Sequence, residues 1–328
     1  MRVIEVAAFG GPEVLAPTHT DDLVPGPGEV VVATAFADVL SLDAMIRSGI
    51  AAEFFPNRPP YVPGNGVSGE VVAVGPGVSG VEVGARVVGR TGGDGGQGGY
   101  AEQAVITAAD LVPVPDGVDL AAAAALLHDG ATALGLMEST GAQAGETVLV
   151  LGAAGGLGIL LVQYAAAAGA RVIGAVRGAV KRDLVLRTGA AVAVDYADPD
   201  WLEQVVAASG GAGPDVVFDG IGGPLGASAF TLVAPGGRFS AHGAPGGGFA
   251  AIDPAEATRR GITVRGIEQV QFQREDRLRL VTQALADAAA GRIRPVIGQV
   301  FSLEAAADAH RAIEGRRVIA KTLLEVRR

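Results

Sequence analysis

The chain has 328 residues, 49% apolar and 18% charged, with a formal net charge of −10 and no cysteine. This composition describes a globular chain with a large core and excludes disorder, disulfides, thiolate metal sites and thiol catalysis. The acidic balance opposes nucleic-acid binding. His19, His128, His242 and His310 are scattered with no pair at ligand spacing, so no metal is expected.

At ~150 residues per domain the length suggests two domains, and MRVIEVAAFG lacks a signal pattern, so the expected location is cytoplasmic. Residues 1–120 read mostly as strands: EVVVATAF, GEVVAVG and ARVVGR are β-branched runs punctuated by PGPGE, GPGVSG and TGGDGGQGG. Turns at that spacing predict a compact antiparallel barrel, with TGGDGGQGG as a flexible surface loop. From residue 121 the pattern changes to LAAAAALLHDGATALGLMEST, a helix. Strands and helices then alternate: TVLVL, helix 157–168, RVIGAV, helix 179–188, AVAVDY, helix 199–208, DVVFDGIG, helix 224–232 and GRFSAHG. Alternation of this kind gives an α/β domain with a parallel sheet covered on both faces, over residues 121–294. After GITVRGIE come the helix EDRLRLVTQALADAAAGRI, the strand VIGQVFSL, a helix over 303–313 and VIAKTLLEV. This last block is expected to complete the sheet and then, over about 295–328, to rejoin the first domain.

Residues 149–169, LVLGAAGGLGILLVQYAAAAG, carry no charge and raise the choice between a membrane span and a phosphate-binding turn. A span needs about 20 apolar residues, but each glycine inside a helix costs roughly 1 kcal/mol. Gly152, Gly155, Gly156 and Gly158 split the stretch into a strand and a helix that stops at Gly169. No membrane span is expected. Ala153, Gly155 and Gly158 hold the frame of the G-x-G-x-x-G fingerprint. A pyrophosphate would sit at the helix N-terminus, where amide hydrogens and the dipole attract anions. The alternative is a tight turn without a ligand.

NAD sites place an acid about 20 residues on, for the ribose 2′-hydroxyl. Here Val176, Arg177 and Gly178 end the second strand, the nearest acid, Asp183, is inside the next helix, and Lys181 and Arg182 lie beside it. This favours a 2′-phosphate and hence NADPH, against the alternative of a solvated helix face. DGIGG (219–223) and SAHGAPGG (240–247) each follow a strand, which puts Gly220, Ile221, His242 and Gly243 at the nicotinamide end. Asp219 and His242 read equally well as structural hydrogen-bonding residues.

FGGPEVL, DAMIRSG (43–49), GEVVAVGPGV, VGARVVG, GGYAEQAV, GATALGLM, AAGGLG and the DY pair at 195–196 follow one order and spacing along nearly the whole chain. In these the sequence resembles the zinc-independent medium-chain dehydrogenases/reductases of the quinone oxidoreductase type. The resemblance implies a GroES-like barrel, a Rossmann domain, a homodimer, and hydride transfer from NADPH to a quinone or conjugated carbonyl. It implies that Lys181 and Tyr196 hold the 2′-phosphate and adenosine, and that Ala154, Gly155, Gly156, Leu157 and Gly158 form the pyrophosphate turn. It also implies that Thr132 lies beside the nicotinamide and that Asp43 and Arg47 supply a D-x-x-x-R pattern lining the cleft.

The chain departs from that pattern at four places. Leu40, Ser41 and Leu42 precede Asp43 where N-F-x-D is usual, and Met45 replaces a frequent tyrosine. Gly64, Asn65, Gly66 stand for Gly-x-Glu, and HDGAT (128–132) carries His and Asp in place of an apolar residue and an amide. The cofactor site is intact and the substrate pocket altered. Thr132, Asn65 and His128 are the candidate donors to a developing oxyanion. His128 or solvent is the candidate proton source, with packing at a domain boundary as the alternative for His128. Arg47 either binds an anionic substrate group or pairs with Asp43. Reduction of an enoyl thioester or enone double bond is an alternative function, and an NADPH-binding sensor or structural protein with little turnover is another.

Overall fold

The computed structural model describes residues 1–92 and 97–327. Residues 93–96, part of the loop TGGDGGQGG expected to be flexible, and Arg328 lie outside the described residues. The chain divides into two compact units, one of Met1–His128 with Val281–Arg328, the other of Asp129–Leu280.

In chain order the first part supplies β1 (Arg2–Val6), β2 (Leu15–His19), β3 (Glu29–Val39), α1 (Ser41–Ser48), β4 (Gly66–Val74), β5 (Arg86–Arg90), β6 (Gln103–Thr107), β7 (Val112–Pro113) and α2 (Leu120–Thr140). Then follow β8 (Thr147–Leu151), α3 (Gly156–Ala167), β9 (Arg171–Val176), α4 (Ala179–Arg187), β10 (Val192–Asp195), α5 (Trp201–Ala208) and β11 (Val216–Asp219). The remainder is α6 (Gly223–Leu232), β12 (Arg238–Ala241), α7 (Pro254–Arg259), β13 (Thr263–Arg265), α8 (Arg274–Ala289), β14 (Ile297–Ser302), α9 (Ala306–Glu314) and β15 (Lys321–Glu325).

The first unit is built around β3, whose run EVVVATAFADV is buried along most of its length. A strand covered on both faces reads as a nearly continuous apolar run rather than an alternating one. Among the described residues the sheet order is β14-β15-β3-β4-β5-β7, with β6 also pairing β3. Among the described residues of this sheet β14 and β15 pair in parallel and the other ladders are antiparallel. Register shifts at Val31/Val32 and Thr34/Phe36 bend β3, as bulges do. Val30, Val32, Val67, Val71, Tyr100, Ile106 and Leu324 fill the core of this unit.

In the second unit the described strands run β10-β9-β8-β11-β12-β13, all parallel. The chain winds outward from β8 on one side and from β11 on the other, so their junction is the topological switch point, beyond whose strand ends ligands bind. Leu151 pairs with Asp219, and Asp219 with Ala241, so the loops after β8, β11 and β12 leave the sheet at one level. The strand of GITVRGIE completes this sheet as β13, whereas VIGQVFSL and VIAKTLLEV both join the first unit's sheet as β14 and β15. The helix expected over 303–313 begins with a 3-10 turn at Leu303–Ala305 before α9.

The stretch 149–169 is a strand end, a turn and a helix, as its glycines require. Among the described residues α2 alone is long and apolar enough to cross a membrane, and 56% of its apolar window is buried within the protein.

Candidate functional site

In the second unit β8 ends at Leu151 and the chain reverses at Gly152, whose φ of +73° belongs to the left-handed region that glycine enters without strain. The amide N–H of Gly155 closes the turn on the Gly152 carbonyl at 3.0 Å. A Cβ at Gly158 would lie 2.3 Å from that carbonyl oxygen and 2.8 Å from the Ala153 Cα. The first turn of α3 therefore packs directly on the glycine turn. Gly155, as N-cap, offers no side chain to the first amides of α3. Those amides of Gly156, Leu157 and Gly158 lack intrahelical acceptors and meet whatever anion lies before the helix. Ala154 is buried behind the turn.

The loop after β9 carries the cations. The Arg177 guanidinium lies 5.6 Å from the centre of the Tyr196 ring, and the Tyr196 amide is tied to the Val176 carbonyl at 2.9 Å. Lys181, half-buried in the first turn of α4, has no acid within ion-pair distance among the described residues. Burial, and then Arg177, pull its ammonium below the usual lysine range. Two cations held together without an acid between them favour a bound anion. Asp195 is spent on the amide hydrogens of Gly178 (2.7 Å) and Ala197 (2.9 Å). Desolvation pulls its carboxyl up, but those amides, Arg182 and Arg177 outweigh it and hold it below the usual range.

The loops after β11 and β12 interlock. Ile221 packs against Gly152, at 3.3 Å from where a Cβ would stand there. A Cβ at Gly243 would strike Gly220 at 2.1 Å. Asp219 is fully buried, and its Oδ1 accepts from the amides of Ile221 (3.0 Å) and Gly222 (2.8 Å). Burial raises its carboxyl pKa against the pull of those amides. His242 Nδ1 lies 3.0 Å from the Ser240 hydroxyl, and burial lowers its pKa to about 4, so the ring is neutral at pH 7. The structure thus brings Gly155, Gly156, Leu157, Gly158, Gly220, Ile221, His242 and Gly243 to one end of the sheet. Thr132 is half-buried on α2.

The first unit holds a second set of polar groups. Asp43, in the first turn of α1, accepts the Leu40 amide hydrogen at 2.9 Å and the Tyr100 hydroxyl at 3.2 Å. Tyr100 also lies 3.1 Å from Nε2 of His310. Burial, and then the Asp38 carboxylate, push Asp43 up to about 7. Burial and Arg47 push His310 down to about 3.

The Asp43–Arg47 pair considered from the sequence is not formed. Arg47 is fully buried, donates to the Gly10 carbonyl at 2.8 Å and pairs with Glu314 on α9. Asp43 faces the start of α1 and Arg47 its end, and each has a nearer partner. The side-chain oxygen of Asn65 accepts the Arg90 Nε–H at 2.8 Å, which leaves the Asn65 NH2 as the donor. His128 Nδ1 lies 2.7 Å from Oδ2 of Asp38, a buried carboxylate absent from the sequence reading. Lys321, Tyr100, His310 and Glu314 were missed with it. The available signals were slight: an aspartate near the end of EVVVATAFADV and a lysine inside the apolar strand VIAKTLLEV. No group of three or more His, Cys, Asp or Glu side chains that could hold a metal occurs among the described residues.

Residues 26–116 match the sequence profile of the alcohol dehydrogenase GroES-like domain, and residues 156–285 that of the zinc-binding dehydrogenases. The quinone oxidoreductase of Rattus norvegicus is 32% identical over 318 residues, covering 95% of this chain and 94% of the relative. A mycobacterial structure in complex with NADPH superposes with a TM-score of 0.90 at 32% identity, over 99% of this chain and 100% of that one. The Escherichia coli quinone oxidoreductase complexed with NADPH gives a TM-score of 0.91 at 27% identity, over 99% and 100%. With a GroES-like domain, a six-strand parallel sheet among the described residues and relatives matched end to end, the chain belongs to the medium-chain dehydrogenase/reductase family, among its quinone oxidoreductases.

Proposed function

We propose that this chain is an NADPH-dependent reductase that delivers a hydride to a quinone or another conjugated carbonyl compound. The observation that carries the reading is the pair Arg177 and Lys181, cationic and without an acid between them, beside a turn in which no side chain fits at Gly158. The NADPH complexes of the similar structures and the names of the quinone oxidoreductase relatives support the same reading.

The residues fit the cofactor. The amides of Gly156, Leu157 and Gly158 would hold the pyrophosphate, Arg177 and Lys181 the 2′-phosphate, and Tyr196 the adenosine, stacked under Arg177. Gly220, Ile221, His242 and Gly243 would line the nicotinamide end, where neutral His242 adds no charge. Bound NADPH supplies the hydride. The protein's part is to fix the reacting atoms and to stabilise the oxygen that becomes anionic as the conjugated system is reduced. Asn65, through its NH2, is the proposed donor to that oxygen.

The test is NADPH oxidation followed by absorbance with a matched panel of quinones, enones and enoyl thioesters, with NADH as control. Turnover that prefers NADPH and one acceptor class is the expected result. Turnover of enoyl thioesters alone would move the reading to double-bond reduction of thioesters. Tight NADPH binding with no turnover of any acceptor would sink it in favour of a binding protein.

A further inference from the structure

The first unit contains a charged cluster that cofactor binding leaves without a role. Asp38 stands next to the end of β3 and is fully buried. Lys321 opens β15, the neighbouring strand, in which Leu323 pairs with Asp38. His128 comes from α2. His128 Nδ1 lies 2.7 Å from Asp38 Oδ2, and Lys321 Nζ lies 3.5 Å from the same oxygen. Burial pulls the Asp38 carboxyl up, but His128 and Lys321 overcome that and keep it ionised. A carboxylate only accepts, so the hydrogen of the contact belongs to Nδ1 and the working nitrogen is Nε2. Nε2 is buried and has no hydrogen-bond partner, and neither has Asp38 Oδ1.

Unpaired buried polar atoms are costly, and His128 combines one with a second nitrogen held by an ionised carboxylate, the arrangement in which a neutral ring can take up and release a proton at Nε2. The surroundings make room for this arrangement. At Gly66, which opens β4, a Cβ would stand 2.3 Å from Leu127, 2.9 Å from His128 Cε1 and 3.2 Å from Asp38 Oδ1. The missing side chain at 66 is what lets the ring and the carboxylate lie together. His128 also precedes Thr132 by one turn of α2.

We propose that His128 is the proton donor of the reduction, with Asp38 and Lys321 as its positioning residues. The assignment rests on the reductase reading above and narrows its substrate to acceptors whose oxygen becomes anionic. When the hydride bonds to the conjugated acceptor, an electron pair moves onto the carbonyl oxygen. The Nε2–H bond of the imidazolium then breaks and an O–H bond forms on that oxygen. The neutral ring regains a proton from water. Asp38 stays ionised, fixes the ring through Nδ1–H and offsets the imidazolium charge. Lys321 keeps Asp38 ionised.

Two measurements test this. Nitrogen-15 NMR of histidine-labelled protein without cofactor should show the neutral ring of His128 carrying its hydrogen on Nδ1 and bare on Nε2, with that tautomer preference lost in Asp38→Asn. Steady-state kinetics with NADPH and either 1,4-naphthoquinone or cyclohex-2-enone should show kcat falling roughly 100-fold in His128→Gln for at least one acceptor. KM for the acceptor and the NADPH dissociation constant, read by fluorescence, should change less than about threefold. The NMR arm uses the wild-type protein and stands even if the buried Asp38 does not tolerate substitution. Full kcat in a folded His128→Gln, or a wild-type ring bare on Nδ1, overturns the assignment while leaving the reductase reading intact. A wild-type enzyme that binds NADPH and reduces neither compound overturns the reductase reading, and the assignment with it.

Discussion

The Tyr100 hydroxyl donates to Oδ2 of Asp43 across 3.2 Å, with both side chains almost wholly removed from solvent. That burial, with Asp38 nearby, gives Asp43 a folded-state pKa of about 7 against 3.8 for the free group. Between those values the unfolded chain has released a proton that the folded chain still holds. Stability from this group is therefore complete below about pH 4, declines as the pH rises towards 7 and levels off above it. The slope is at most about 1.4 kcal/mol per pH unit. Asp43→Asn has no such titration. The Tm of wild type minus that of the variant should fall from pH 4 to pH 7; a difference flat across this range would contradict the assignment.

The glycine turn makes a sharper demand. Gly158→Ala places a methyl 2.3 Å from the Gly152 carbonyl oxygen, a backbone atom that moves only with the turn itself. NADPH affinity measured by fluorescence should fall at least about tenfold, which is about 1.4 kcal/mol. Gly155→Ala meets that carbonyl only at 3.4 Å and should be milder. Equal effects from the two would show that close packing of α3 is not what the turn requires.

Lys181 and Arg177 divide the cofactors. If they read a 2′-phosphate, Lys181→Ala should weaken NADPH by about tenfold, the scale of a charge-assisted hydrogen bond. NADH binding should hardly change. The NADPH loss should shrink at high salt, since half-exposed cations are screened. Isothermal titration with both nucleotides separates this outcome from a solvated helix face, for which both affinities would stay constant.

Arg47 is a buried cation with an exposed partner, Glu314. Arg47→Ala deletes the guanidinium and leaves the Gly10 carbonyl without its donor. Urea denaturation should show a loss of about 3 kcal/mol, from the volume vacated by the buried side chain and the carbonyl left without its donor. Glu314→Gln should cost less, because the glutamine side-chain oxygen can still accept from the Arg47 guanidinium. A stable Arg47→Ala protein with raised KM for an anionic acceptor would instead make Arg47 a substrate-binding residue.

The two units differ in how far they could be read from residues alone. The second unit is legible because its demands are local. Gly152, Gly155 and Gly158 fall within seven positions, and the backbone of one strand–turn–helix unit admits nothing larger at Gly158. Arg177 and Lys181 are four residues apart, so their likeness in charge and the lack of an intervening acid are visible in the string. The alternation of strands and helices likewise follows from periodicity, and the parallel sheet follows from the alternation.

In the first unit only the residue types were local. Asp43 and Arg47, four apart on one helix, suggested a pair, but Glu314 and Tyr100, hundreds and tens of residues away, took the two groups apart. Asp38, His128 and Lys321 come from β3, α2 and β15, elements whose meeting no spacing encodes. Residue order alone suffices for the turn, because glycine's missing Cβ acts within a few bonds. The partners of the buried charges are set by packing between elements distant in the chain. A charge removed from water must find its opposite wherever the packed strands and helices bring one within about 4 Å.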